Sequence, residues 1–100
     1  MLNPTPLEKM LDAQRRPYFL WDGDCTVERF GELLEDADPQ VRAYWIGKLM
    51  RQAKPDDVFH FVTRGAIESL WPLVERHLGQ SRPFWTWILR EWRELERANG

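Results

Sequence analysis

One hundred residues, 43% hydrophobic and 30% charged, bound the chain to one soluble domain over 1–100 with a single core. A net charge of −2 argues against general nucleic-acid binding, and the lone cysteine, Cys25, excludes an internal disulfide. No apolar run approaches the roughly 20 residues of a membrane span. The first five residues lack the basic start and apolar run of a signal peptide. A cytoplasmic location is therefore expected.

Thr5-Pro6-Leu7-Glu8 has the form of a capping box with proline at the first helical position. It predicts a loosely packed N-terminal helix within 1–16, carrying Leu7, Met10 and Leu11 on one face and ending at Pro17. Pro17–Trp21 is the densest apolar run. It is too short for a helix and has no mate, so an extended segment that drives its aromatics into the core is expected. A turn at Asp22-Gly23-Asp24 closes it. Thr26 caps a helix over about Val27–Asp36, with Val27, Phe30, Leu33 and Leu34 inward. Glu28, Glu32 and Glu35 recur at helical spacing and form an outward acidic ridge, with Asp36 close by.

Asp38 caps the longest element and Pro39 suits its first position. Val41, Tyr44, Trp45, Leu49 and Ala53 follow at steps of three and four, widened by Ile46 and Met50. This stripe predicts a central helix that buries Trp45 and turns Arg42, Lys48, Arg51 and Gln52 to water. The helix stops before Pro55. Asp56 or Asp57 caps a short helix with Val58, Phe59 and Val62. Thr63 caps another with Ile67, Leu70 and Trp71. Pro72 kinks that helix or opens a new segment through Leu73, Val74 and Leu78. Gly79 is a natural stop. Ser81 caps the last helix, Arg82 to about Ala98, whose inward stripe is Trp85, Ile88, Leu89, Trp92 and Leu95. Phe84 and Trp87 lie off that stripe. The fold expected is all-α, a compact bundle of five or six short helices. Asp38-Pro39-x-Val41-Arg42 is similar to one helical pair of a HEAT-type solenoid, so HEAT-like pairing is one arrangement the pattern allows.

Phe19–Thr26 contains D-x-D-x-T after an apolar run, like the nucleophile motif of haloacid-dehalogenase-type phosphatases. That chemistry needs a parallel sheet and a later acidic pair after a strand. The chain offers neither, so Asp22 and Asp24 are read as a turn. Cys25 is expected to be inert, because Asp24 and Glu28 would raise its pKa. His60 is expected as a partly buried ring, and His77 as a favourable neighbour of a helix C-terminus. A zinc site needs three or four ligands, and no cluster is visible. No catalytic residue, metal site or cofactor is expected. In the last helix Arg90, Arg93 and Arg97 alternate with Glu91, Glu94 and Glu96, the pattern of a solvated face with weak ion pairs.

Six Trp, five Phe and two Tyr are hard to bury in one small core, so an exposed aromatic patch is expected, a common mark of an interface. Pro17-Tyr18-Phe19-Leu20-Trp21-Asp22, Thr26 opening a helix, and Asp57-Val58-Phe59 together resemble a family of small bacterial proteins without an assigned activity. Its members tend to be encoded beside nucleotidyltransferases similar to abortive-infection toxins. The resemblance covers about residues 17–63 and supplies no catalytic residues. It implies an antitoxin-like or accessory protein whose partner is a nucleotidyltransferase. The alternative is a regulatory or scaffold module that binds DNA or another protein, and self-association into a homo-oligomer is compatible with either. The partner-binding residues expected are Glu28, Glu32, Glu35, Asp36, Phe84 and Trp87.

Overall fold

The Asp38 carboxylate accepts from the Gln40 amide at 2.9 Å, and the chain enters helix at Pro39. The helix that follows is the one on which the rest is assembled. In the computed structural model, which describes residues 4–99, the helices are α1 (Leu7–Met10), α2 (Val27–Leu34), α3 (Pro39–Gln52), α4 (Pro55–Phe61), α5 (Arg64–Ser69), α6 (Trp71–Val74) and α7 (Arg82–Asn99). Three 3₁₀ turns, Tyr18–Leu20, Glu75–His77 and Gly79–Ser81, complete the secondary structure. No strand occurs among the described residues, so the fold is an all-α bundle of short helices.

α3 packs against α2, α4, α6 and all three 3₁₀ turns. Two faces do this work. Trp45 meets Phe30 of α2 edge-on at 6.2 Å, while Gly47, almost diametrically opposite on the helix, lies under α6 and the turn after it. Ile46, Leu49, Met50 and Ala53 of the expected stripe are buried, and Ala43 joins them. Tyr44 is exposed and Trp45 is only half-buried. Lys48, expected in water, is buried. Its ammonium donates to Asp22 at 2.6 Å and lies 5.9 Å from the centre of the Trp45 ring.

The Gly47 position has no room for a side chain. A Cβ there would meet the His77 Cβ at 2.5 Å and the Val74 carbonyl at 3.4 Å. The clashing atom is the root of a side chain and moves only with its backbone. Gly47→Ala gains at most about 1 kcal/mol of helix propensity, against roughly 1–3 kcal/mol for overpacking. A net loss of stability is expected in urea unfolding, and a variant more stable than the parent would contradict the close approach.

The N-terminal segment departs from expectation. α1 is a single turn, and Thr5 does not cap it: its hydroxyl donates to Asp57 of α4 at 2.6 Å. Met10 is buried in the core while Leu7 is exposed. The chain then closes a tight loop in which the Asp12 carboxylate accepts from the Gln14 and Arg16 amides. Arg15 adopts φ 63° there. Its carbonyl accepts from the Val27 amide at 2.8 Å, which satisfies the start of α2. The run at 18–20 is a 3₁₀ turn and not an extended segment. It buries Phe19 and Leu20 but leaves Trp21 75% exposed.

The Thr26 and Thr63 caps form as expected, accepting from Arg29 and Ala66 amides. Pro72 opens a new helix, α6, instead of kinking the old one. Asp56 and Asp57 do not cap α4. Pro55 starts it, and both acids fall in its first turn. The Ser81 hydroxyl donates back to the Leu78 carbonyl at 2.6 Å. Gly79 takes φ 55°, the left-handed conformation expected at a helix stop.

Candidate protein-binding surface

α7 is eighteen residues long, about 27 Å. Trp85 and Leu89 bury its inner face, with Ile88 and Trp92 at the margin. The Trp85 indole donates to the Met50 carbonyl at 2.9 Å, one of the carbonyls that the end of α3 leaves free. Phe59 of α4 lies edge-on to both Trp85 (6.1 Å) and Trp92 (5.5 Å). Further along, Arg64 of α5 lies over the Trp92 ring at 5.1 Å, and its Nη2 is 2.6 Å from Glu96 Oε1. That nitrogen has no well-directed hydrogen bond, so the Glu96 contact is one of charge. These anchors hold α7 along most of its length.

The outer face of α7 stays open. Phe84 is 41% exposed, Trp87 50% and Leu95 58%. Phe84 and Trp87 stand apart from the inner stripe, as the spacing predicts, with ring centres 6.3 Å apart. Leu95, expected inside, is a correction. It lies ten residues beyond Trp85, about 15 Å along the axis, where the helix has run past the core. At about 100° per residue, Phe84, Trp87, Ile88, Glu91 and Leu95 share one sector of the helix. Arg90, Arg93 and Arg97 share the next. Arg97 lies 3.8 Å from Glu94, the one ion pair among these arginines within the described residues.

The acids of α2 form a second, separate surface. Glu28 accepts from Arg15 Nε at 2.6 Å, and Glu32 pairs with Arg29 at 3.3 Å. Arg15 holds the Glu28 carboxyl below its ordinary value. Much of the ridge's charge is thus answered from within the chain. Glu35 is the C-cap residue of α2, at the rim of a 440 Å³ cleft floored by Ile46, Phe61 and Leu70. The Asp36 carboxylate accepts from the Asp38 amide at 2.9 Å, and its carbonyl accepts from Arg42 at 2.7 Å. Asp36 therefore builds the α2–α3 connection. Among the described residues, no hydrogen bond, ion pair or ring contact joins these acids to Phe84 or Trp87.

Three further groups have structural explanations. Asp22 and Asp24 sit on an exposed turn, tied to Lys48 and Arg16; Lys48 holds the Asp22 carboxyl below its usual value. Burial pushes the Cys25 thiol up, and the expected effect of Asp24 and Glu28 is not the cause. His60 is exposed rather than partly buried. His77 is shifted down, first by burial and then by Arg76 and Arg51, contrary to the expected helix-end stabilisation of its cation. Among the described residues, no three His, Cys, Asp or Glu side chains gather in a way that could hold a metal ion, and no helix is long and apolar enough to cross a membrane.

Comparison with protein-family models, curated proteins and solved structures gives no match to this chain.

Proposed function

We propose that the chain is a non-enzymatic protein-binding module, an antitoxin-like or accessory partner of a nucleotidyltransferase, and that it docks through the outer face of α7. One observation carries this: Phe84, Trp87 and Leu95 remain exposed along a helix whose other face is firmly anchored. An exposed apolar strip with charged margins has the composition of an interface core with its rim. The nucleotidyltransferase identity of the partner is supported by the family resemblance over about 17–63. The acids of α2 supply the long-range attraction. Complementary charge acts mainly on the association rate and is weakened by salt. With Glu28 and Glu32 partly answered by Arg15 and Arg29, their share of the affinity is small.

Co-expression with a nucleotidyltransferase similar to abortive-infection toxins tests both surfaces. Wild type is expected to co-elute with that enzyme in gel filtration. Phe84→Ala with Trp87→Ala should weaken the complex by about 2 kcal/mol or more, the scale of an aromatic hot spot, with unchanged circular dichroism. Glu28→Lys, Glu32→Lys and Glu35→Lys together should slow capture at low salt while leaving dissociation nearly unchanged. A complex indifferent to the aromatic pair would refute docking through α7.

A further inference from the structure

We infer that the cleft between α2 and the α4–α5 segment binds a small apolar α-amino acid, held by its charged end at Glu35 and Arg42. This cleft is separate from the outer face of α7 and does not depend on what docks there.

A glycine in the cleft wall is the first observation. Gly31 lies in the middle of α2, where glycine is a poor helix former. Its backbone is not left-handed, and a Cβ there would meet nothing within 4 Å. Unlike Gly47, it is required neither by conformation nor by close packing among the described residues. Gly31, Leu34 and Glu35 stand three and four residues apart, so they share one face of α2. All three line the 440 Å³ cleft. A side chain at position 31 would narrow that space, and glycine leaves it open.

The chemistry of the walls selects the ligand. Leu34, Ile46, Phe61, Ala66 and Leu70 present apolar carbon to the cleft. Its volume is near the lower end of the roughly 300–1,000 Å³ of ligand sites, which suits a compact molecule. The charged groups gather at one end, where α2 gives way to α3. Glu35 is exposed, and its carboxylate makes no hydrogen bond or ion pair among the described residues. Arg42 lines the same cleft. Its Nη1 donates to the Asp36 and Ala37 carbonyls at 2.7 and 3.2 Å, which holds the guanidinium close to Glu35 along the chain. No carboxylate among the described residues pairs with that guanidinium, and its Nε and Nη2 donors remain. An unanswered acid and an unanswered guanidinium beside an apolar floor are complementary to one kind of molecule. It carries an ammonium and a carboxylate on one carbon, with a hydrocarbon side chain. Leucine and phenylalanine have that form. The ammonium meets Glu35, the carboxylate meets Arg42, and the side chain enters the apolar part. A fatty acid or an apolar amine would leave one of the two charges unmatched. A peptide N-terminus would offer Arg42 an amide in place of the carboxylate.

Titration of the isotope-labelled chain with L-leucine or L-phenylalanine, followed by amide chemical shifts, tests this. Saturable shifts are expected around Gly31, Leu34, Arg42 and Ala66, with a dissociation constant below about 1 mM. Leucinamide lacks the carboxylate and isocaproate lacks the amine. Each should bind about tenfold more weakly or worse, the effect of losing a charge-assisted hydrogen bond. Gly31→Leu should abolish binding at a melting temperature no lower than that of wild type. Glu35→Gln should weaken leucine about tenfold and leave isocaproate unchanged; this exposed position keeps the test decisive if Gly31→Leu does not fold. The absence of saturable shifts up to about 10 mM overturns the site. Full affinity in Gly31→Leu places the ligand elsewhere and overturns it too. Leucinamide binding as tightly as leucine overturns the free amino acid and assigns the cleft to a peptide N-terminus.

Discussion

Phe19→Ala is expected to cost about 3–5 kcal/mol, the range for deleting a fully buried aromatic ring. Phe19 is fully buried, and its ring lies edge-on to Tyr18 (5.4 Å), Phe30 (5.5 Å) and Phe61 (5.4 Å). Its removal leaves a cavity shared by the N-terminal segment, α2 and α4, and those rings cannot all collapse into it. Small domains are stable by only about 5–15 kcal/mol, and at this size each kcal/mol moves the melting temperature by about 4–8 °C. A fall of more than about 12 °C in Tm is therefore expected, and a fall of only a few degrees would show that the ring cluster is not the centre of the core. Trp45→Ala should cost distinctly less, because Trp45 is half-buried at the edge of that cluster.

The second large effect is expected at Asp57. Its side chain is fully buried and accepts from the Thr5 amide (2.7 Å), the Thr5 hydroxyl (2.6 Å) and the Tyr18 hydroxyl (2.5 Å). The Tyr18 oxygen in turn accepts from the Lys54 amide at 2.9 Å, just before α4. This is one half of a capping box, in which the first-turn acid reaches the cap amide through a tyrosine hydroxyl; the Lys54 side chain supplies no return bond. The network fastens residues 5 and 18 to the start of α4. Asp57→Ala leaves those donors without their acceptor in a buried place, at about 1–3 kcal/mol each and not additively. A loss of roughly 3 kcal/mol is expected in urea unfolding, with faster amide exchange at Thr5. Tyr18→Phe, which spares the carboxylate, should cost about 1–2 kcal/mol.

The same group gives a pH dependence. Burial pushes the Asp57 carboxyl up, but the bonds from Thr5 and Tyr18 outweigh it and hold the group below its ordinary 3.8. A carboxyl depressed in the folded state contributes its stability above the unfolded value and loses it as pH falls through the folded one. Wild type should therefore hold its stability down to about pH 4 and lose it below that. Asp57→Ala should show a smaller acid loss, and an identical acid limb in the two proteins would refute the assignment.

The sequence by itself determined the starts and stops of several helices. Asp38, Thr26 and Thr63 accept from amides two or three residues ahead. Pro39 opens a helix and Gly79 turns left-handed at the end of one. Such effects act within one turn of backbone, so the residues that cause them stand side by side in the sequence. The aromatic pair Phe84 and Trp87 was legible for the same reason, because spacing along α7 separates them from Trp85 and Leu89.

Which side of an element ends in the core was decided only by the tertiary structure. Lys48 is buried because Asp22, 26 residues away, accepts its charge. Thr5 abandons its own helix because Asp57, 52 residues away, is the acceptor it meets. Trp21 and Leu95 are apolar residues at the edges of buried elements, and they are exposed because nothing among the described residues extends far enough to cover them. Helical periodicity specifies a direction around an axis. Burial depends on what stands in that direction, and that is settled only when segments distant in sequence share one core.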